Sequence, residues 1–428
     1  MSTRRIQTVY YLITSLFWLA VGLPMSLSVL LAQARGLSLL QISFVIGVFS
    51  LTIVLLEVPT GGLADAMGRK RVSVIAYACI LLASLAFLFA FSLPAMLCAF
   101  ILNGVGRALS SGALDAWFVD SLQAIDPEID LQPALAKGGT FALLALGGGV
   151  MLGSLIPHLF SSLPPDGSTV LTPLSMPVAF GMLVQLALLA ATLRLVREER
   201  PAGQQPGWQA GVRQVPGIIR TGITLSRSNP VILKLMGASF ASGLVLISLE
   251  VLWQPHFAGL LGGSAGNTLF LGIVMGGNFI VGMVGNMLSP TLSRLLHKRY
   301  GLVCAIFQGV RGALLVGLAL QTSPLPAALF FWLVYMNMGI TNSPHATLMN
   351  AEIPSQQRSS MLSIESFVSY MGSFLGSVGL GYIAERTSIG LAWTIGGAIL
   401  MVSLGLYLSI DRRQKEVYAR ENLVPQAG

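Results

Sequence analysis

The sequence predicts an all-α integral membrane protein with twelve transmembrane helices, arranged as two six-helix bundles with pseudo-twofold symmetry. The first observation is composition: 54% of the 428 residues are hydrophobic and only 10% are charged. Soluble domains carry roughly 25% charged residues, so this chain cannot present an ordinary surface to water. The second observation is a series of twelve apolar runs, each near the ~20 residues that a helix needs to cross a bilayer.

The apolar runs divide evenly around one polar stretch, residues 195–230, which is rich in glycine, proline, glutamine and arginine. Numbered as spans 1 to 12, they cover residues 8–32, 40–62, 72–92, 95–122, 138–160, 176–194, 231–256, 267–289, 301–320, 325–348, 358–382 and 390–410. The predicted domains are an N-terminal bundle at 1–194, a cytoplasmic linker at 195–230, a C-terminal bundle at 231–410 and a cytoplasmic tail at 411–428.

The basic residues predict how the chain lies in the membrane, because cytoplasmic loops carry an excess of Lys and Arg. With the N-terminus in the cytoplasm, 21 of the 25 Lys and Arg residues fall on the cytoplasmic side. Arg35 and Arg386 fall outside, and Arg107 and Arg311 lie within spans. The distribution predicts a protein of the cell (inner or plasma) membrane with both termini cytoplasmic. It also accounts for the net charge of +8 without a nucleic-acid partner.

The two halves resemble each other weakly, which indicates an internal repeat. Span 2 ends in the basic loop "GGLADAMGRKR", and span 8 ends in a comparable loop, "TLSRLLHKRYG". Spans 5 and 11 are both rich in glycine, with Gly147, Gly148, Gly149 and Gly153 in the first and Gly372, Gly376, Gly379 and Gly381 in the second. Glycines at such spacing let helices approach closely. Two six-span halves with internal symmetry are typical of secondary transporters.

Residue spacing gives no support to enzyme chemistry. The histidines are scattered without metal-ligand spacing, at His158, His256, His297 and His345. No serine sits in a nucleophile elbow, and the glycines at 147–149 lack the lysine and strand context of a phosphate loop. The sequence therefore predicts no enzyme activity, no metal and no cofactor. The energy for transport must then come from an ion gradient or from the gradient of the substrate itself.

The stretch "EVPTGGLADAMGRKR" at 57–71 places three glycines, an aspartate and three cations between long apolar runs. It resembles the loop 2–3 signature of the major facilitator superfamily, G-x-L-a-D-R-x-G-R-K. The matching residues are Gly61, Leu63, Asp65, Gly68, Arg69 and Lys70. The chain departs from the signature at Ala66, where a basic residue is common. The resemblance implies the twelve-span, two-bundle fold and transport by alternating access.

In the resembled family, the loop aspartate caps a helix of the opposite half, and the loop arginine pairs with an acid near the end of span 4. The resemblance therefore implies a conformational latch at the cytoplasmic side, formed by Gly61, Asp65, Gly68, Arg69, Lys70 and Asp120. The alternative is charge that only sets membrane orientation. That alternative explains Lys70 and Arg71 but leaves the aspartate and the glycines unexplained.

Ionisable residues inside spans are costly and usually functional. The residues predicted for proton coupling are Arg107, Asp115, Glu250 and Glu365. Arg107 and Asp115 lie eight residues apart on one predicted helix, about 80° apart around its axis, so both can face a cavity. The segment "NGVGRALSSG" also resembles the span 4 basic motif of the superfamily, whose arginine is implicated in proton transfer. The alternatives are a static Arg107–Asp115 ion pair and a structural bridge from Arg311 to Glu250 or Glu365.

Polar and aromatic residues at mid-depth are the predicted substrate-binding residues: Trp18, Trp117, Trp253, Asn278, Trp332, Tyr335 and Asn337. The alternative is that the aromatic members anchor the membrane interface. The carboxylate of Glu250 lies close to Trp253 in sequence and suits an organic cation or a carried proton.

The chain most resembles the proton-coupled drug-efflux branch of the superfamily, which implies outward movement of a hydrophobic or amphiphilic small molecule. The efflux signature of span 5, G-P-x-x-G-G, is missing, since span 5 reads "GGGVMLGSLIP". The alternatives are proton-driven uptake of a small metabolite, a lipid flippase and a non-transporting sensor. The expected partners are a small-molecule substrate, protons and the lipid bilayer, and the protein is expected to be a monomer.

Overall fold

The computed structural model describes residues 2–164, 167, 169–198, 229–263, 267–353 and 358–423, without the side chains at 58–66, 358–360 and 413–423. These residues form fourteen α-helices and no strand. The first eight are α1 Thr3–Met25, α2 Ser28–Ala34, α3 Leu39–Met67, α4 Arg69–Leu88, α5 Leu93–Ser110, α6 Ala113–Gln123, α7 Gln132–Leu159 and α8 Met176–Leu195. The other six are α9 Pro230–Leu260, α10 Thr268–Leu295, α11 Tyr300–Ala319, α12 Pro324–Glu352, α13 Arg358–Arg386 and α14 Ile389–Leu423.

The predicted number of spans is confirmed, because twelve helical segments in the described residues are long and apolar enough to cross a membrane. Helices α5 and α6 together make span 4, and the short α2 lies between spans 1 and 2. Span 1 is shorter than predicted: α1 ends at Met25, just after Pro24, and α2 begins at Ser28. Gln254 covers this break, since its amide donates to the Met25 carbonyl (3.0 Å) and accepts the Val29 N–H (3.0 Å).

The chain divides into two compact units. Unit 1 comprises Met1–Gly217 and Val251–Gly276, and unit 2 comprises Ile218–Glu250 and Gly277–Gly428. The core of unit 1 includes Ile13, Phe118 and Leu122. The core of unit 2 includes Ile232, Cys304 and Met361. The predicted domain boundaries remain a prediction, and residues 199–228 of the predicted linker lie outside the described residues.

Glycines bring one matching pair of helices into backbone contact in each unit. In unit 1, α1 packs on α7, and a Cβ at Gly149 would come within 2.6 Å of the Leu19 carbonyl oxygen. In unit 2, a Cβ at Gly376 would overlap the backbone of Leu244, so α13 lies directly against α9. These pairs are spans 1 and 5 in one unit and spans 7 and 11 in the other. The weak repeat in the sequence therefore corresponds to a repeated helix contact.

Arg35 holds the end of α4 that is predicted to face outward. Its guanidinium donates to the carbonyl oxygens of Phe87 (2.5 Å), Leu88 (2.8 Å) and Ala90 (3.3 Å) and lies 4.7 Å from the ring centroid of Phe91. These donors satisfy carbonyls that have no partner inside the helix. Burial lowers the pKa of Arg35 from 12.5 to about 10, so the side chain is still charged at neutral pH.

Candidate functional site

Unit 1 contains an open cavity of about 640 Å³ between α1, α6 and α7. The cavity lies at the end of the unit that the cation distribution predicts to be cytoplasmic. Its lining residues are Tyr10, Thr14, Trp18, Asp115, Ala116, Val119, Asp120, Leu135, Gly138, Gly139 and Ala142. Two of these side chains are carboxylates, two are large aromatics, and none of them carries a positive charge. The cavity is therefore acidic, aromatic and otherwise apolar.

Asp115 stands at the start of a helix, which corrects the prediction that it shares one continuous helix with Arg107. Span 4 breaks at Ser111 and Gly112, where Gly112 adopts the left-handed conformation with φ 71°. Glycine takes that conformation without steric cost, so "SSG" permits the break. Asp115 consequently lies in the first turn of α6, where the helix dipole favours a negative charge. Across this break, Arg107 and Asp115 do not have the separation of about 80° that two residues on one helix would have.

The carboxylate of Asp115 is held by Tyr10. The Tyr10 hydroxyl donates to Asp115 Oδ1 over 2.6 Å, and the Tyr10 ring stacks on Phe118 at 3.9 Å with an interplanar angle of 7°. Arg107 approaches from α5: its guanidinium lies 5.4 Å from the ring centroid of Trp18 and 5.1 Å from that of Phe17. The structure thus places Arg107 beside the aromatic wall to which Trp18 belongs.

Two predicted substrate-binding residues of unit 1 are core residues instead. Trp117 is 2% exposed, packs in the core of unit 1 and donates its indole N–H to the Arg197 carbonyl (3.0 Å). Trp253 is also 2% exposed and packs against Phe257, with ring centroids 6.3 Å apart. The apolar periodicity around both residues carries them into the protein interior, and neither is open to a substrate in this conformation.

The predicted substrate-binding residues of unit 2 partly converge. Tyr335 on α12 forms a hydrogen bond with Asn278 on α10 and lies within electrostatic range of Glu250, whose side chain is exposed although it lies mid-span. Trp332 packs on Gly277, where a Cβ would come within 2.6 Å of the indole. Asn337 is 3% exposed and donates to the Leu333 carbonyl within its own helix (2.8 Å). Asn337 is thus the least accessible of the group.

At the predicted latch, the Arg69 side chain forms an ion pair with Asp120, with an N–O distance of 3.4 Å. Gly68 adopts φ 97°, and the carboxylate of Glu198 accepts the backbone N–H groups of Arg69 (2.7 Å) and Lys70 (3.1 Å). Lys70 Nζ donates to the Leu193 carbonyl (2.8 Å). The end of span 6 is therefore bound to the start of span 3. Sequence reasoning missed Glu198, although "REER" places acids directly after span 6.

The other two latch residues, Gly61 and Asp65, lie in the helical backbone of α3, and the side chain of Asp65 is outside the described part of the structure. The latch therefore remains a prediction, and what is described is the arrangement within unit 1.

Unit 2 contains a related arrangement: Arg299, just before α11, donates through Nε to Asp411 Oδ1 on α14 (3.0 Å). This hydrogen bond raises the pKa of Arg299. In both units an acid near the end of the last span contacts the start of the third span.

Unit 2 also contains a chain of hydrogen-bonded polar side chains inside its spans. Glu365 Oε1 lies 2.6 Å from His345 Nε2 and accepts the Ser239 hydroxyl at 2.8 Å, and His345 Nδ1 lies 2.7 Å from the Tyr407 hydroxyl. Sequence reasoning considered His345 only as a metal ligand and therefore missed it. No group in the described residues has the His, Cys, Asp and Glu side chains to hold a metal ion.

Arg311 has neutral partners, so the alternative of a structural bridge to Glu250 or Glu365 is not observed among the described residues. Its guanidinium donates to Gln308 Oε1 (2.6 Å) and to Ser242 Oγ (2.8 Å), and the described residues contain no ion pair between Arg311 and either acid. The physical reason is competition, because Glu365 is already hydrogen-bonded to His345 and Ser239.

Comparison with known proteins places this geometry in a family. The family model described as the Major Facilitator Superfamily matches residues 10–377. Among solved structures, the nucleoside transporter NupG is similar with a TM-score of 0.75 and 14% identity, over 96% of this chain and 99% of that one. A D-xylose-proton symporter has a TM-score of 0.65 and 14% identity, over 95% and 97%. The human organic anion transporter MFSD10 (TETRAN) has a TM-score of 0.58 and 16% identity, over 95% and 100%.

Because the sequence identities are low, these structural similarities establish the fold alone. No curated protein sequence matches the chain. The family match covers most of the residues, and the twelve apolar helices fit an integral membrane protein of this kind. The chain belongs to the Major Facilitator Superfamily, and it is a secondary transporter by family and fold.

Proposed function

We propose that this transporter exports hydrophobic or amphiphilic small molecules in exchange for protons, with a preference for compounds that carry a positive charge. The observation that supports this proposal is the cavity of unit 1, which combines the Asp115 carboxylate with the rings of Tyr10 and Trp18, while its second acid, Asp120, is paired with Arg69. Its volume of about 640 Å³ lies within the ~300–1,000 Å³ range of small-molecule sites.

The chemistry of the lining selects for an organic cation. An aromatic face attracts a cation by roughly 0.5–2 kcal/mol, and the attraction is larger where water is excluded. The Asp115 carboxylate supplies a full opposite charge, and the Tyr10 hydroxyl fixes its orientation. The apolar residues of the wall, among them Leu135 and Val119, would contact the hydrocarbon part of the same compound.

Exchange for protons follows from competition for one carboxylate. A cation and a proton cannot both neutralise Asp115, so binding of one favours release of the other. One-for-one exchange of a monovalent cation for a proton moves no net charge, so the pH difference is its driving force. A difference of one pH unit is a tenfold ratio of protons and corresponds to ~1.4 kcal/mol. One exchanged proton per cation can therefore drive about tenfold accumulation for each pH unit.

The second candidate is proton-driven uptake of a small polar metabolite. It is favoured by the structural similarity to a nucleoside transporter and to a D-xylose-proton symporter, although that similarity concerns the fold alone. Uptake and export differ in direction and in substrate polarity. The two candidates can therefore be separated in membrane vesicles of defined orientation.

The test uses everted vesicles with an acidic lumen and tetraphenylphosphonium as the probe. We expect the wild type to accumulate the probe and Asp115→Asn to reduce the rate about tenfold, the equivalent of ~1.4 kcal/mol of lost binding. Trp18→Ala should weaken apparent affinity by a similar factor. Asp126→Asn, an exposed acid outside the cavity, is the matched control and should behave as the wild type.

The same preparation tests the alternative. Right-side-out vesicles with an inward proton gradient are given uridine or D-xylose as probes. Accumulation of either probe, without movement of tetraphenylphosphonium in everted vesicles, would replace export by uptake. Failure of Asp115→Asn to change cation transport would remove the cavity of unit 1 as the substrate site.

A further inference from the structure

The polar chain of unit 2 connects four different helices inside the membrane. Ser239 comes from α9, His345 from α12, Glu365 from α13 and Tyr407 from α14. The side chains of His345 and Glu365 are only 16% and 17% exposed. Burying such a group is costly unless its hydrogen bonds are satisfied, and here each member has a partner within 2.6–2.8 Å.

The hydrogen bonds among these four side chains are compatible with two protonation states, which differ by one proton. With neutral His345, Nε2–H donates to the Glu365 carboxylate and the Tyr407 hydroxyl donates to Nδ1. With an added proton, His345 donates through both ring nitrogens, and the Tyr407 oxygen becomes the acceptor. Neither form leaves a ring nitrogen without a partner. The same set of heavy-atom positions therefore accommodates both protonation states.

A second polar group lies next to the first. Arg311 on α11 is 6% exposed and contacts Ser242 and Gln308, and Gln308 also donates to Ser403 (2.9 Å). The Nε–H of Arg311 is buried without a partner among the described residues. Arg311 also lines a small cavity of about 10 Å³, enough for one water molecule.

Tyr407 is near both groups: its hydroxyl lies 2.7 Å from His345 Nδ1, and it lies within electrostatic range of Arg311 and Cys304 on α11. The titratable side chain that contacts the His345–Glu365 pair is thus Tyr407 from α14, while α9 contributes the neutral Ser239. Counted together, Glu365 and Arg311 carry no net charge, and an added proton gives one net positive charge.

We propose that the His345–Glu365 pair of unit 2 is a second proton-binding site of this transporter, in addition to the Asp115 carboxylate at which cation and proton compete. The proposal rests on the proposed function, since it names a further proton site of a proton-coupled carrier. The step transfers one proton from water to the pair and returns it to water on release. No covalent bond between heavy atoms forms or breaks, and nothing is oxidised or reduced.

This site differs from Asp115 in its access to water. Asp115 lines an open cavity, so it can exchange protons with solvent directly. The Glu365 side chain is only 17% exposed and is hydrogen-bonded to an imidazole, so its access to water depends on the surrounding helices. Dependence of proton exchange on conformation is what coupled transport needs.

The first experiment needs no substrate. Purified protein in detergent is examined by pH-difference infrared spectroscopy, with Glu365→Gln, His345→Gln and the matched control Glu385→Gln, an exposed acid on the same helix. We expect imidazole bands and carboxylate stretching bands that change together in the wild type and in Glu385→Gln. Glu365→Gln should lose the change in the carboxylate bands, and His345→Gln should lose the imidazole bands.

Unchanged difference spectra in a folded Glu365→Gln protein would overturn the proposal. If that variant does not fold, His345→Gln decides, because glutamine retains a hydrogen-bonding side chain of moderate size. Carboxyl bands in His345→Gln that titrate as in the wild type would then show that the two residues do not act as a pair, and the proposal would fail.

The second experiment measures transport of tetraphenylphosphonium in proteoliposomes. Glu365→Gln should lose proton-driven accumulation at least tenfold but retain exchange of labelled for unlabelled probe. Equal loss of both activities would contradict a role in coupling. If the wild type moves no tetraphenylphosphonium, the proposed substrate class fails, while the infrared experiment still decides the proton site.

Discussion

Glu198 accepts a hydrogen bond from the backbone N–H of Arg69 over 2.7 Å, so the first turn of α4 is capped by an acid 129 residues further along the chain. The same carboxylate accepts the N–H of Lys70. An acid at this position satisfies backbone donors that have no partner in the helix and also complements the helix dipole. The contact connects spans 3 and 6 at the predicted cytoplasmic end of unit 1.

The cap should contribute more to stability than the neighbouring ion pair. Asp120 is 60% exposed on its side chain, and exposed ion pairs contribute about 0–1 kcal/mol. Loss of a helix cap costs about 0.5–2 kcal/mol. We therefore expect Glu198→Ala to lower the thermal midpoint in detergent more than Asp120→Asn does. Glu198→Gln, which keeps an acceptor oxygen, should lie in between, and a larger effect of Asp120→Asn would refute this ranking.

The glycine contacts predict opposite effects for neighbouring substitutions on one helix. A Cβ at Gly376 would overlap the backbone of Leu244, whereas Gly379 has open space around the same atom. Overpacking costs typically 1–3 kcal/mol, so Gly376→Ala should destabilise the protein by about that amount. Gly379→Ala should be neutral or stabilising by up to ~1 kcal/mol, because alanine favours the helix.

The equivalent comparison in unit 1 is Gly153→Ala against Gly147→Ala, since a Cβ at Gly153 would overlap the Leu23 backbone and Gly147 has open space. Thermal midpoints of the purified variants provide the measurement. If the control substitutions destabilise as strongly as the contact substitutions, helix flexibility rather than close approach explains the glycines.

Arg35 should not be replaceable by lysine. Its planar guanidinium reaches three carbonyl oxygens at once, and an ammonium group cannot reproduce that geometry. A hydrogen bond to a charged group contributes about 1.5–3 kcal/mol, so Arg35→Lys should lower stability by roughly that much. Arg386→Lys is the matched control, since Arg386 is exposed and lies over the Tyr382 ring at 5.7 Å. Equal midpoints for the two variants would contradict this role.

The orientation of the chain can be tested by reporter fusions. The distribution of Lys and Arg predicts that reporters fused after Arg200 and after Arg420 are cytoplasmic, whereas one fused after Asp166 is external. An alkaline phosphatase and green fluorescent protein pair gives opposite signals on the two sides. A phosphatase-active fusion at Arg200 would contradict the predicted orientation of both units.

The twelve spans were predictable because hydrocarbon length and residue composition are local properties. The break between Arg107 and Asp115 was not predicted, because "SSG" is compatible with both a continuous helix and a turn. Only the packing of α6 against α1, through Tyr10 and Phe118, distinguishes the turn from a continuous helix. Trp117 illustrates a second limit: its helix position was evident, but which face meets the core depends on neighbours that are distant in sequence.

The proton site illustrates a third limit. His345 and Glu365 lie on consecutive spans twenty positions apart, and no spacing rule joins residues on different helices. Glu365 was predicted because an acid inside a span is conspicuous. His345 was overlooked because it was considered only as a metal ligand, and the scattered histidines lack metal-ligand spacing. Pairing becomes apparent only when four helices are assembled.

The backbone contacts at the glycines have a consequence for how such chains diverge. Where α7 contacts α1 and α13 contacts α9, main-chain atoms form the contact surface. Main-chain atoms do not change when neighbouring residues are substituted. Residues elsewhere on these helices can then be substituted without loss of the contact, provided that a few small residues remain. Two halves of one chain can therefore differ at nearly every residue while their helices still meet at the same points.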